Sequence, residues 1–255
     1  MNAPVSPQAP VGEPQSRQSM AMTPEPIPVR SVSILECHGC GAGAPVDEHF
    51  CPQCSRILAL GRHGDYFTFF GLPRRLTVDL QDLERRFREL SRKFHPDYYY
   101  NAAPEERLAS LERSSYLNDA YRVLRSPVTR AEHLIAIEGL PAPRSEEGGA
   151  SVPPALLEEV FTLNEELDEI RTLRDSGSDA PALRARLEAA RTPIERKRDE
   201  HERQLRELSA KWDGTAERGV PDERRAILDA IRDRLLERHY INNLLAGIEK
   251  ALDGV

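Results

Sequence analysis

The 255-residue chain has no apolar run approaching the roughly 18–20 residues that cross a bilayer, so it does not read as an integral membrane protein. Aromatic residues make up only 6% of it, with a single tryptophan. A large β-sandwich draws on aromatic and β-branched side chains, so that architecture is disfavoured. Positive charge is in deficit: 35 Lys and Arg against 42 Asp and Glu leave a net −7. A protein that grips nucleic acid through its phosphates is usually basic, which argues against a general backbone binder. Cysteine is scarce too, with four in all and none outside the stretch Cys37–Cys54. What the chain does have is charge, at 30%, and a second half dominated by Leu, Glu, Arg and Ala. Those residues favour helix, and the expected fold class is mainly α.

The chain divides into four segments. Residues 1–35 carry seven prolines in the first 28 positions, with no apolar period, and read as a disordered tail. The tail has neither the apolar core of a secretory signal nor the acid-poor pattern of a transit peptide, since Glu13 and Glu25 interrupt it. The expected location is therefore cytoplasmic, with the mitochondrial matrix as the alternative. Residues 36–58 hold the cysteines, 64–142 form a helical segment, and 153–255 form a second one. A Pro-, Gly- and Ser-containing stretch at 141–152 separates the two helical segments.

The cysteines form two hooks, Cys37-His38-Gly39-Cys40 and Cys51-Pro52-Gln53-Cys54, ten residues apart. Paired Cys-x-x-Cys hooks suit four thiolates around one tetrahedral Zn2+, and Gly39, Gly41 and Gly43 let the backbone turn around the ion. Four thiolates close the coordination shell, leaving His38 and His49 outside it. A closed site has no position for a reactive water and works structurally, stabilising a segment too short to build its own core. Disulfides and thiol–disulfide chemistry are the rivals, disfavoured by the lack of a secretion signal and of an α/β context.

In the central segment, Leu80, Leu83, Phe87, Leu90 and Phe94 are spaced 3, 4, 3 and 4, one face of an amphipathic helix with Asp79 as its N-cap. Arg85, Arg86, Arg88, Arg92 and Lys93 lie off that stripe and give residues 82–93 five bases against three acids. His95-Pro96-Asp97 follows directly. Pro96 disfavours helix at His95 and cannot continue the hydrogen-bond ladder, so an exposed loop is predicted. A second helix is expected over 104–124, with Leu108, Leu111, Leu117, Ala120, Tyr121 and Leu124 inward.

Two helices joined by an exposed His-Pro-Asp loop define the J-domain pattern. Residues 65–140 resemble the J-domain of HscB-type co-chaperones of iron–sulfur cluster assembly. The resemblance is carried by Asp65-Tyr66-Phe67, Phe70-Gly71-Leu72, Leu90 through Asp97, Leu117-Asn118-Asp119-Ala120-Tyr121, and Ser126-Pro127 with Arg130-Ala131-Glu132. It implies that His95, Pro96 and Asp97 stimulate ATP hydrolysis by a DnaK/HscA-type chaperone. It also implies that Arg85, Arg86, Arg88, Arg92 and Lys93 dock on that partner, where complementary charge sets encounter rate and register. Such a protein is a non-enzyme that shifts its partner's conformational equilibrium.

Beyond the linker, Leu156, Val160, Leu163, Leu167 and Ile170 form the stripe of a helix. Leu157 and Phe161 lie just off it, leading into Glu165 and Glu169 at i+4 steps. Spacing does not distinguish a wide core face from an exposed patch. Similarity to HscB-type proteins around Glu165–Ile170 and His239-Tyr240-Ile241 implies that Leu157, Phe161, Glu165, Glu169 and Tyr240 bind the scaffold protein IscU. Glu158 departs from the apolar residue often found there. Two further stretches, 182–211 and 222–252, complete a three-helix bundle. Breaks are expected near Ser176–Ser178, at Pro193, where a helix kinks or restarts on Thr192, and over Gly214–Pro221. Trp212 reads as packing.

The expected architecture is thus a zinc knuckle, a helical J-domain and a C-terminal three-helix bundle, with an ATPase chaperone and an IscU-type scaffold as partners. A general J-domain co-chaperone with another client is the near alternative. A zinc-ribbon adaptor for nucleic acid is the distant one, disfavoured because no Lys or Arg and only Phe50 among aromatics lie between Cys37 and Cys54.

Overall fold

A computed structural model describes residues 34–61, 65–142, 156–176, 180–215 and 220–254. The segment read as a proline-rich tail lies outside them, apart from its last two residues, and so does most of the 141–152 linker. Among the described residues seven α-helices and one two-stranded sheet are present. None of these helices is long and apolar enough to cross a membrane.

Strands β1 (Ile34–Glu36) and β2 (Gly43–Pro45) pair antiparallel, Leu35 opposite Ala44, and frame the first cysteine hook. Helix α1 (Tyr66–Phe69) starts on Asp65, whose carboxylate accepts from the Phe67 and Thr68 amides. Helix α2 (Leu80–Phe94) starts as expected on Asp79, which accepts from Gln81 and Asp82. A short 3-10 turn (Pro96–Tyr99) leads to α3 (Pro104–Arg125), α4 (Pro127–Ile137) and then α5 (Leu157–Asp175), α6 (Ala180–Thr215) and α7 (Pro221–Asp253).

Three expectations are corrected. Leu80 is 50% exposed, because a helical side chain leans over the turn before it and α2 has no earlier turn. Leu108 and Leu111 are also exposed, at 57% and 55%. The inward row of α3 is instead Ser110, Arg113, Leu117, Ala120 and Leu124, all at most 1% exposed. Two polar residues in that row hid it from apolar periodicity. Finally, α6 runs unbroken for 36 residues through Pro193. The missing N–H removes one ladder bond, but Leu187 and Ile194 are buried on either side and hold the axis. Thr192 does not cap a new helix; its hydroxyl donates back to the Glu188 carbonyl at 3.2 Å. α5 ends at Asp175 and α6 starts at Ala180, beside the break expected near 176–178; α6 runs past Gly214 to Thr215 and α7 starts at Pro221, with residues 177–179 and 216–219 outside the described residues.

Among the described residues, three apolar clusters organise the interior. One is small and lies in the cysteine segment, with Cys37, Ala44, Cys51 and Leu58. A second fills one end of the bundle with Leu156, Leu163, Leu187, Ile194, Ile241 and Ile248. The third joins both helical segments: Phe67, Phe94, Leu117 and Leu134 share it with Leu205, Trp212, Ile231 and Leu235 from α6 and α7. Trp212 is fully buried, and its indole N–H donates to the Arg74 carbonyl at 3.2 Å. Asp213 accepts from the Leu76 and Thr77 amides, both at 2.7 Å.

Candidate metal centre and docking surfaces

The four cysteines converge, with all four Sγ atoms within 4.8 Å of one another. Cys37 and Cys54 are 3.6 Å apart and Cys40 and Cys51 3.7 Å, and all four thiols are free. Tetrahedral Zn–S bonds of about 2.3 Å place sulfurs about 3.8 Å apart, so the spacing fits one ion. Each hook is built the same way. The Gly41 amide donates to the Cys37 carbonyl and the Ser55 amide to the Cys51 carbonyl, both at 2.8 Å. Both residues take left-handed backbone, with φ of 72° at Gly41 and 61° at Ser55. Glycine does this freely, whereas Ser55 does it against its Cβ.

The cysteine segment is fastened to α3 by Arg113, whose side chain is fully buried. Its Nε donates to the Leu58 carbonyl at 2.8 Å, and its Nη2 to the Glu48 and Ala59 carbonyls at 3.2 and 3.0 Å. Nη1 lies 2.7 Å from His49 Nδ1. Arginine only donates, so Nδ1 accepts, and the neutral ring's Nε2–H donates to the Phe69 carbonyl at 3.0 Å. Burial lowers the Arg113 pKa to about 10, which leaves it charged at neutral pH. His49 meets the Phe94 ring edge-on at 5.0 Å, and Phe50 stacks on Phe94 at 5.9 Å. Phe94 immediately precedes His95, so the cysteine segment abuts the root of the His-Pro-Asp turn. Periodicity gave no sign of Arg113 or His49 in this role.

At that turn, Pro96 leaves α2 without its usual C-terminal donors. Ser110 and Ser114 hydroxyls donate to the Phe94 carbonyl at 2.7 and 2.9 Å, and the Tyr99 hydroxyl donates to the Lys93 carbonyl at 3.0 Å. His95 Nδ1 accepts from the Asp97 amide at 3.3 Å. The imidazole and the Asp97 carboxylate stay open to solvent, with 52% and 88% of their side chains exposed. On α2, Arg85 pairs with Asp82 and Glu89, and Arg88 with Glu84. Arg86 pairs with Asp82 and caps α1 through the Phe70 and Gly71 carbonyls at 3.0 and 3.1 Å. Arg92 and Lys93 are exposed and have no ion pair among the described residues. The uncommitted cations therefore sit in the last turn, beside His95, where the helix dipole favours them.

Of the stripe predicted for α5, Leu156, Leu163, Leu167 and Ile170 are buried and Val160 is half-buried, while Leu157 and Phe161 project outward, 52% and 66% exposed. Glu165 is exposed beyond them. Glu169 is exposed but engaged: Arg186 Nη2 is 2.8 Å away, and Arg186 Nε binds Glu166 at 2.8 Å. Hydrogen bonding from Arg186 holds the Glu169 carboxyl below the usual carboxylate range. Tyr240, on α7, packs half-buried against the bundle cluster rather than standing open like Phe161.

No family model matches the chain. Among solved structures, it is similar to human co-chaperone HscB, with a TM-score of 0.61 and 22% identity over 87% of this chain and 100% of that one. Chaperone HscB from Vibrio cholerae matches at 26% identity over 74% of this chain and 98% of that one, with a TM-score of 0.49. The first likeness gives the chain the fold of the human protein.

Proposed function

We propose that the chain is a non-enzymatic co-chaperone of iron–sulfur cluster assembly, in which α1–α4 act as a J-domain and α5–α7 bind the cluster scaffold. The observation that carries this reading is the His-Pro-Asp turn, held at its root by Ser110, Ser114 and Tyr99 with the His95 and Asp97 side chains exposed, on an HscB-like fold. His95, Pro96 and Asp97, flanked by Arg92 and Lys93, engage a DnaK/HscA-type chaperone and stimulate its ATP hydrolysis. The Leu157–Phe161 patch, with Glu165 and Glu169 beyond it, takes an IscU-type scaffold. An exposed apolar pair on a packed helix is available without unfolding anything, as a docking site requires. The four cysteines hold Zn2+, which organises the N-terminal segment.

The test is steady-state ATP hydrolysis by a DnaK/HscA-type chaperone with this chain added, with and without scaffold. Stimulation is expected to rise synergistically with scaffold and to vanish in His95→Gln. Leu157→Ala with Phe161→Ala is expected to retain stimulation but lose the synergy. Scaffold-independent stimulation in the wild type would point to another client, and absent stimulation would overturn the J-domain role.

A further inference from the structure

Where the J-domain meets the bundle there is a cleft of about 500 Å3 bounded by the start of α4, by α6 and by α7. Arg130, Arg206 and Arg238 line it, with Glu202 the one carboxylate among its lining residues. In a chain of net charge −7, this is a local excess of cations. Glu202 is already engaged by Arg238 at 3.0 Å. Arg206 is exposed and has neither ion pair nor hydrogen bond among the described residues.

Arg130 sharpens the imbalance. It is only 5% exposed, and no carboxylate lies within ion-pair distance of it among the described residues. Its Nη1 donates to the Leu124 carbonyl, while its Nε is buried without an acceptor. Arg113, the other buried arginine, is surrounded by three carbonyls and an imidazole nitrogen. A buried cation is costly unless it is paired and fully hydrogen-bonded, and Arg130 is neither. Asp213 exerts only a longer-range attraction on it, and both its oxygens already accept backbone amides. The α4 N-terminus adds positive potential to the same wall: Ser126 occupies its cap position but its side chain makes no capping bond.

We infer that this cleft is an oxyanion site, built to take a phosphate group through Arg206 and Arg130, with the α4 N-terminus adding positive potential. Guanidinium forks match phosphate oxygens in a bidentate way. The volume accommodates free phosphate or the phosphate end of a small metabolite. A bound anion would bridge α4 of the J-domain to α6 and α7, tying the two functional halves together at their junction. The inference is independent of the chaperone reading.

The experiment is thermal unfolding of the whole chain during titration with inorganic phosphate, against sodium chloride at matched ionic strength. Phosphate is expected to raise Tm saturably beyond chloride. Arg206→Gln, an exposed position, is expected to leave Tm in chloride unchanged and to shift phosphate half-saturation about tenfold higher, as loss of one charge-assisted contact does. Arg203→Gln, on α6 but paired with Glu200 and Glu207 outside the cleft, is the control and should titrate like wild type. A parallel titration with AMP separates sources: half-saturation below that of phosphate identifies a phosphorylated metabolite, and equal half-saturation identifies the free ion. Phosphate acting no differently from chloride, or Arg206→Gln titrating like Arg203→Gln, would overturn the site.

Discussion

At the scale of single residues, Ser55 and His201 each carry a measurable consequence. Ser55 repeats the turn that Gly41 makes, but with a side chain in left-handed backbone. Relief of that strain outweighs the extra freedom glycine brings to the unfolded chain, so Ser55→Gly should stabilise the cysteine segment by up to about 1 kcal/mol. With zinc at the proposed site, chelator competition would show it as slower metal release; faster release would refute the strain. His201, between α6 and α7, is 5% exposed with its Nε2 at 2.9 Å from Glu237 Oε2. Burial, then the cations Arg234, Lys197 and Arg238, lower its pKa to about 4 against the opposing pull of Glu200. An unfolded histidine titrates near 6.5, so between about pH 6.5 and 4 the unfolded chain binds a proton that the folded chain refuses. Stability should fall as pH falls through that window. Glu237, raised by burial, works in the opposite sense above its ordinary range and offsets part of the loss. His201→Gln should flatten the profile by at most about 1.4 kcal/mol per pH unit, measured by denaturant unfolding at pH 7, 6 and 5. An unchanged profile would assign the acid sensitivity elsewhere.

Among the elements, the cysteine segment and the His-Pro-Asp turn are coupled through one ring. The Phe94 ring contacts those of His49 and Phe50, and its carbonyl is held by Ser110 and Ser114 on α3. With an ion held by the four cysteines as proposed, its removal should loosen His49 and Phe50, and with them the end of α2. Amide exchange over residues 93–99 is expected to accelerate on chelation, while α5–α7 keep their protection. Equal protection with and without metal would show the two elements to be energetically separate. Apart from Leu80, the α2 stripe and its Asp79 cap were legible because both obey rules that span one or two turns. The α3 face was not: Arg113 counts as a surface residue until a neighbour supplies carbonyls to bind it.

Across the whole molecule, the two helical segments are not independent bodies joined by a linker. Trp212 and Asp213, far along α6, bond to the loop at residues 74–77, and α6 and α7 run through both large clusters. A 36-residue helix is about 54 Å long at 1.5 Å per residue, enough to reach both. The chain should therefore unfold in one transition, with Trp212 fluorescence and helical circular dichroism coinciding. Trp212→Ala should lower stability by about 3–5 kcal/mol and move the whole circular-dichroism transition as one step. Tryptophan exposure well before helix loss would mean the halves melt separately.

What the sequence determined alone is what short-range rules specify. Two cysteine hooks bring their own turns, a proline after a basic amphipathic helix ends that helix, and an apolar period selects the buried stripe of α5. Tertiary structure decided the rest. Arg113 finds its acceptor 55 residues away at Leu58, and Asp213 its donor 136 residues away at Thr77. Pro193 stays helical because its neighbours are packed. Arg130 is buried facing a cleft that exists only once α4, α6 and α7 have met. The cost or benefit of burying a polar group depends on which partner folding brings to it, and no local pattern carries that information.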